Sequence, residues 1–134
     1  MFQANAFLYV EDDPLSREIM QMILGGLGYS PLTVFENSAD FLTRIEALTP
    51  RPDVIFLDIH MKPFDGFDLL KMLRAHPGFS QALTIAVTAS VMNEEMARLK
   101  DAGFDGAIGK PLDFENFASL MQRLLSGEEI WYVI

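Results

Sequence analysis

The sequence predicts an α/β domain of (βα)5 type, a doubly wound parallel five-stranded sheet with helices on both faces. Three observations predict it. Short apolar runs rich in Val, Ile and Phe, at Ala6 to Val10, Val54 to Leu57 and Leu83 to Val87, the last interrupted only by Thr84, have the length and content of strands covered on both faces. Each is followed by a stretch with helical spacing of apolar residues. The 134 residues, 50% hydrophobic and 22% charged, suit one globular domain, residues 1–134, around a single packed core.

The first strand leads into Asp13, a candidate N-cap, and Pro14, a residue favoured at the first helical position. The helix that follows carries Leu15, Ile19, Met22 and Ile23 along one face, and Gly25, Gly26 and Gly28 end it. A weaker strand spans roughly Leu32 to Phe35, and Asn37 is then a possible cap for a helix marked by Phe41, Ile45 and Leu48. The third strand, Val54 to Leu57, precedes the helix-start residues Asp65 and Gly66. The helix they open carries Phe67, Leu70 and Leu73 and breaks at His76, Pro77 and Gly78. The fourth, Leu83 to Val87, precedes a helix with Met92, Met96 and Leu99 that stops at Gly103. Gly106 to Gly109 is so poor in bulk that only its place in the alternation marks it as a strand. The last helix carries Phe117, Leu120 and Leu124 and ends near Gly127. Residues 128–134 form a tail whose apolar members, Ile130, Trp131, Tyr132, Val133 and Ile134, need cover. Trp131 is expected to be at least half buried, by packing on its own domain in preference to a dimer interface next to Ala107.

Composition narrows the function. Nineteen Asp and Glu against ten Lys and Arg leave a formal charge of -9, so the field that draws in phosphate backbones or anionic lipid is absent. Direct contact with nucleic acid or membrane is not expected. No cysteine occurs and only two histidines do, which removes thiolate nucleophiles, disulfides and Cys-ligated zinc. No basic residue precedes an apolar stretch at the amino terminus, and no apolar run approaches the ~18 residues of a membrane span. The chain reads as soluble and cytoplasmic, and its chemistry must come from carboxylates.

The alternation puts Glu11, Asp12 and Asp13 just after strand 1, Asp58 just after strand 3, Thr88 at the end of strand 4 and Lys110 at the end of strand 5. All lie on the rim where ligands of parallel sheets bind. Carboxylates gathered this way stay ionised only if a cation intervenes, and a hard, all-oxygen set points to Mg²⁺. A lysine and a hydroxyl nearby supply what a transferred phosphoryl group requires, and Asp58 is then a candidate nucleophile. Met61, Met92 and Met96 are read as core filling, and His76 as a surface loop residue.

Four stretches together resemble the receiver domain of two-component response regulators: Tyr9 to Pro14, Val54 to Gly66, Ala86 to Ala89, and the pair Lys110 and Pro111. The resemblance runs over about Ala6 to Leu125. It implies a flavodoxin-like sheet of order 2-1-3-4-5 and Asp58 as phosphoacceptor. It further implies Asp12 as a direct Mg²⁺ ligand, Glu11 reaching the metal through water, and His60 offering it a backbone carbonyl. Thr88 matches the hydroxyl that moves to the phosphoryl group, Lys110 the lysine that pairs with it, and the Lys110–Pro111 peptide is expected to be cis. A histidine kinase or a phosphotransfer protein would be the donor. The implied protein is a stand-alone phosphorylation switch, monomeric or weakly dimeric, whose output is protein binding and which acts as no enzyme on other substrates.

Two positions depart from the family pattern. Lys62 stands where proline usually follows Met61, which brings a cation near the phosphoryl entrance, and Ala107 replaces an aromatic side chain that turns inward when the threonine moves. Two other readings compete. A Mg²⁺-dependent phosphohydrolase with an aspartyl nucleophile would share Asp58, but it needs a second acid where His60 stands. A flavin or nucleotide carrier would need glycines where the loop after strand 1 has three acids.

Overall fold

In the computed structural model, which describes residues 4–90 and 92–131, strands and helices alternate. They are β1 (Phe7–Val10), α1 (Pro14–Leu27), β2 (Leu32–Phe35), α2 (Phe41–Glu46), β3 (Val54–Asp58), α3 (Gly66–Ala75), β4 (Leu83–Thr88), α4 (Asn93–Ala102), β5 (Gly106–Gly109), α5 (Phe114–Leu125) and β6 (Ile130–Trp131). All neighbouring strands pair parallel, in the order β2-β1-β3-β4-β5-β6. The order expected for the first five is observed. The five-stranded sheet is corrected to six, because the tail folds back and pairs Ile130 with Gly106 and Trp131 with Ala107.

The lack of bulk that obscures β5 in the sequence is what admits β6. A Cβ at Gly106 would stand 2.8 Å from the Ile130 carbonyl oxygen, so a larger residue would push the added backbone away. Trp131 is partly buried against the cluster that contains Ala107, Met96 and Leu99, and the Lys100 ammonium lies 5.3 Å from its ring centre. Tyr132, Val133 and Ile134 lie outside the described residues.

Side-chain alternation along the strands divides the core in two. Leu8, Val10, Ile55, Leu57 and Ala86 face α2, α3 and α4, while Phe7, Tyr9, Val54, Phe56 and Val87 face α1 and α5. Helix α1 begins as expected, with Asp13 accepting from the Ser16 N–H and Pro14 in the first turn. Its buried face differs from the expected one: Met20, Ile23 and Leu24 are buried, while Leu15 and Met22 are exposed. Gly25 and Gly26 lie inside the helix, and Gly28 alone terminates it, at φ 82°. A Cβ at Gly26 would sit 2.9 Å from the ring of Phe114, an exposed side chain that would have to move aside. Asn37 makes a turn rather than a cap, its side-chain oxygen accepting from the Ala39 N–H, and α2 starts after Asp40. Met92 is likewise not core filling but an exposed residue ahead of α4.

Two fastenings position the loops around the strand ends. Asp65 and Asp68 form a reciprocal capping pair at the start of α3. Ser38, fully buried, donates its hydroxyl to the Phe64 carbonyl at 2.6 Å and accepts from the Phe64 N–H at 2.8 Å. The loop between β3 and α3 is therefore tied to the loop after β2.

Candidate functional site

Parallel strands end together, so the residues that follow β1, β3 and β5 converge on one rim. Carboxylate oxygens of Glu11, Asp12 and Asp58 all lie within 4.8 Å of one another. Glu11 is fully buried and Asp58 is 5% exposed, whereas Asp12 faces solvent. Lys110 enters from the end of β5, with its ammonium 2.6 Å from Glu11 Oε1 and 3.4 Å from Asp58 Oδ1. The peptide between Lys110 and Pro111 is cis, as the resemblance implies.

Three carboxylates face one ammonium, and the imbalance appears in their protonation. Burial, and next the Glu11 carboxylate, push the Asp58 carboxyl up to about 7, although Lys110 and the His60 N–H pull it down. Burial also pushes Glu11 up, but hydrogen bonds with Asp58, Lys110 and Tyr9 outweigh it and hold Glu11 below the usual carboxylate value. Lys110 stays charged because Glu11 and Asp58 more than offset its own burial. A hard divalent cation among these oxygens would supply the missing positive charge, so the donor set fits Mg²⁺.

The remaining rim residues stand around this cluster and add no carboxylate oxygen to it. Thr88 is buried at the end of β4, and its hydroxyl accepts from the Ser90 N–H at 3.1 Å. Among the described residues it makes no hydrogen bond to Asp58. The exposed His60 donates its backbone N–H to Asp58 Oδ1 at 3.4 Å. With Asp12, Met61, Asp65 and Lys62, His60 lines an open cleft beside the carboxylates. Asp13 is occupied elsewhere: Ser16 holds its carboxyl below the usual value, through the hydroxyl first and the backbone N–H next.

Two further residues of the site are given no role by the motifs, although Tyr9 opens the first of the four stretches. Arg17 donates to the Glu11 backbone carbonyl at 2.9 Å, reaching back from the first turn of α1. Tyr9, fully buried on β1, donates its hydroxyl to Glu11 Oε1 at 2.6 Å. The sequence does hold a signal for Tyr9, because residues two apart on a strand share a face and a hydroxyl thus stands on the side of Glu11.

Comparison with known proteins agrees with this geometry. The family model described as response regulator receiver domain matches residues 7–122. Stress response regulator protein 1 of Meyerozyma guilliermondii is 34% identical over 110 residues, which cover 81% of this chain and 50% of that protein. The chain thus spans about half the length of that relative. Among solved structures, the signal receiver domain of a signal transduction histidine kinase from Syntrophus aciditrophicus is 30% identical, with a TM-score of 0.77 over 91% of this chain and 90% of that one. The chemotaxis response regulator CheY4 of Vibrio cholerae, at 23% identity, shares the fold with a TM-score of 0.80 over 91% of this chain and 99% of that one. The match over most of the chain and the acidic cluster at the ends of the strands lead to one assignment: the chain belongs to the response regulator receiver domains of two-component systems.

Proposed function

We propose that this receiver accepts a phosphoryl group on Asp58 from a histidine kinase or histidine phosphotransfer protein and signals through phosphorylation-controlled protein binding. The observation that carries the reading is the position of Lys110, bridging Glu11 and Asp58 within a surplus of carboxylates. In the transfer, an Asp58 carboxylate oxygen bonds to phosphorus as the bond from phosphorus to the donor's imidazole nitrogen breaks, and the imidazole leaves with the electron pair. Asp12, Asp58 and the His60 carbonyl, with Glu11 acting through water, would hold Mg²⁺, which would neutralise the oxygens of the transferred group. Lys110 pairs with that group, and the Thr88 hydroxyl gives up the Ser90 N–H to donate to it. Ser90 and the start of α4 follow the threonine, which offers an output route that does not need an aromatic side chain at Ala107.

Lys62, exposed at the cleft, is placed to meet an anionic donor first. The work of such a domain lies among cytoplasmic signalling proteins. No helix among the described residues is long and apolar enough to cross a membrane. The test is incubation with Mg²⁺ and a small acyl phosphate, followed by mass spectrometry to locate the added phosphate. Label on Asp58 is expected, and label elsewhere or none overturns the proposal. Turnover of phosphorylated small molecules in the same assay would favour the phosphohydrolase instead.

A further inference from the structure

Glu11 Oε1 is a fully buried anionic oxygen with two donors, the Tyr9 hydroxyl at 2.6 Å and the Lys110 ammonium at 2.6 Å. Its other oxygen accepts from the Asp13 N–H, at 3.3 Å. The two donors to Oε1 differ in freedom. Tyr9 lies on the same strand end as Glu11, two residues away, and its ring is packed edge-on against Phe56 at 6.5 Å and 90°. It cannot leave without disrupting the core on the α1 and α5 side. Lys110 comes from the loop after β5 on a flexible stem, is 20% exposed at its side chain, and already divides itself between Glu11 and Asp58.

If Lys110 is to pair with a phosphoryl group on Asp58, it must loosen its hold on Glu11. A buried carboxylate oxygen left with no donor carries the full cost of its lost solvation. We infer that Tyr9 is a positioning residue that stays bonded to Glu11 Oε1 throughout, so that Lys110 can exchange Glu11 for the phosphoryl group without leaving a bare buried oxygen. This rests on the function proposed above. It goes further by giving the hydroxyl of a buried core tyrosine a part in phosphoryl uptake and in aiming Glu11 towards the metal.

The test is Tyr9→Phe, which removes the hydroxyl and keeps the ring. Mg²⁺ affinity measured by titration calorimetry should fall about tenfold, as expected when a group that orients a metal-site carboxylate is lost. Phosphoryl uptake from an acyl phosphate at saturating Mg²⁺ should slow as well, because Lys110 becomes the only donor to Glu11 Oε1. Wild-type protein that takes up neither Mg²⁺ nor phosphate overturns the function proposed above and this inference with it. Wild-type protein that does both, beside a folded Tyr9→Phe variant within about twofold of it on both readings, overturns the Tyr9 inference alone. A measurement on wild-type protein decides the matter should the variant not fold. The Tyr9 hydroxyl proton should give a protected low-field resonance both in metal-free protein and in protein loaded with Mg²⁺ and beryllium trifluoride. Loss of that resonance on loading would show that Tyr9 is the partner released, contrary to the inference.

Discussion

Asp53 stands immediately before β3 and Asp58 ends it, so one strand separates two aspartates of very different situation. At the amino end, Asp53 accepts from the Asn5 N–H through both oxygens at 3.0 Å, from the Asn5 side-chain amide at 3.1 Å and from the Ala6 N–H at 3.3 Å. At the carboxyl end, Asp58 is almost fully buried, has two long contacts of 3.4 Å, and faces a second buried carboxylate. The first charge is satisfied by the fold and fastens the chain ahead of β1. The second is not satisfied, and the deficit is what a cation and a phosphoryl group would fill. Stability and chemistry are thus allotted to opposite ends of the same sheet.

The sharpest way to break this division is to neutralise each aspartate in turn. Asp58→Asn should abolish phosphoryl uptake, because the shape remains and the nucleophile is gone, and it should raise the melting temperature of the metal-free protein by removing a poorly solvated carboxyl beside Glu11. Asp53→Ala should leave uptake intact and cost about 2 kcal/mol of stability, since several backbone and amide donors lose their acceptor. Mass spectrometry of the labelled protein and thermal melts read both. A melting temperature that drops in Asp58→Asn would mean that the carboxyl end stabilises the fold after all.

The next effect separates neighbours within the site. Asp12→Ala should weaken Mg²⁺ binding by at least about tenfold. Asp13→Ala should instead cost about 1 kcal/mol of stability, the usual loss for a helix N-cap, with little change in affinity. Equal losses of affinity in a metal titration would put Asp13 in the coordination shell and contradict its bond to Ser16.

Much of this rim is legible in the amino-acid sequence. Strand ends in a (βα)5 chain converge by topology, so Glu11, Asp12, Asp58, Thr88 and Lys110 can be placed together from their order alone. Contacts that depend on side-chain reach are not legible. Apolar residues surround α1 so fully, at Leu15, Ile19, Met20, Met22, Ile23, Leu24 and Leu27, that periodicity does not single out the face built on Met20 and Leu24. The hydrogen bond of Ser38 to Phe64 spans 26 residues and leaves no local trace. β6 is too short to show a strand period, and its partner strand has almost no side chains to read.

Protonation offers a test that requires no substitution. The Asp58 carboxyl is raised from 3.8 to about 7 in the folded protein, so between those values the folded state holds a proton that the unfolded state has released. The stabilisation from this group is complete below the lower value and is lost as pH climbs through the upper one. In a chelator, the melting temperature should therefore fall between about pH 4 and pH 7. Saturating Mg²⁺ should flatten that slope, because a cation favours the ionised form that high pH produces. A melting temperature that rises over this range in the chelator would remove Asp58 as the group under strain.

The smallest expected effect on Mg²⁺ binding lies farthest from the chemistry, at the edge where Trp131 pairs with Ala107. Trp131 covers apolar surface of the cluster that contains Met96 and Leu99, but it is only partly buried and, among the described residues, its indole N–H is buried without an acceptor, which offsets part of the gain. Trp131→Ala should therefore cost about 2 kcal/mol, less than the loss of a fully enclosed aromatic side chain. Because β6 packs on its own domain, the melting temperature of wild type and variant alike should not change with protein concentration, whereas an intersubunit strand would make it do so. Mg²⁺ affinity should be unaffected, since the β5 residues that pair with β6 are Gly106 and Ala107, at the start of the strand whose far end delivers Lys110. A variant with weakened Mg²⁺ binding would show that the edge and the rim are coupled through β5, and the division between the two ends of the sheet would fail at that strand.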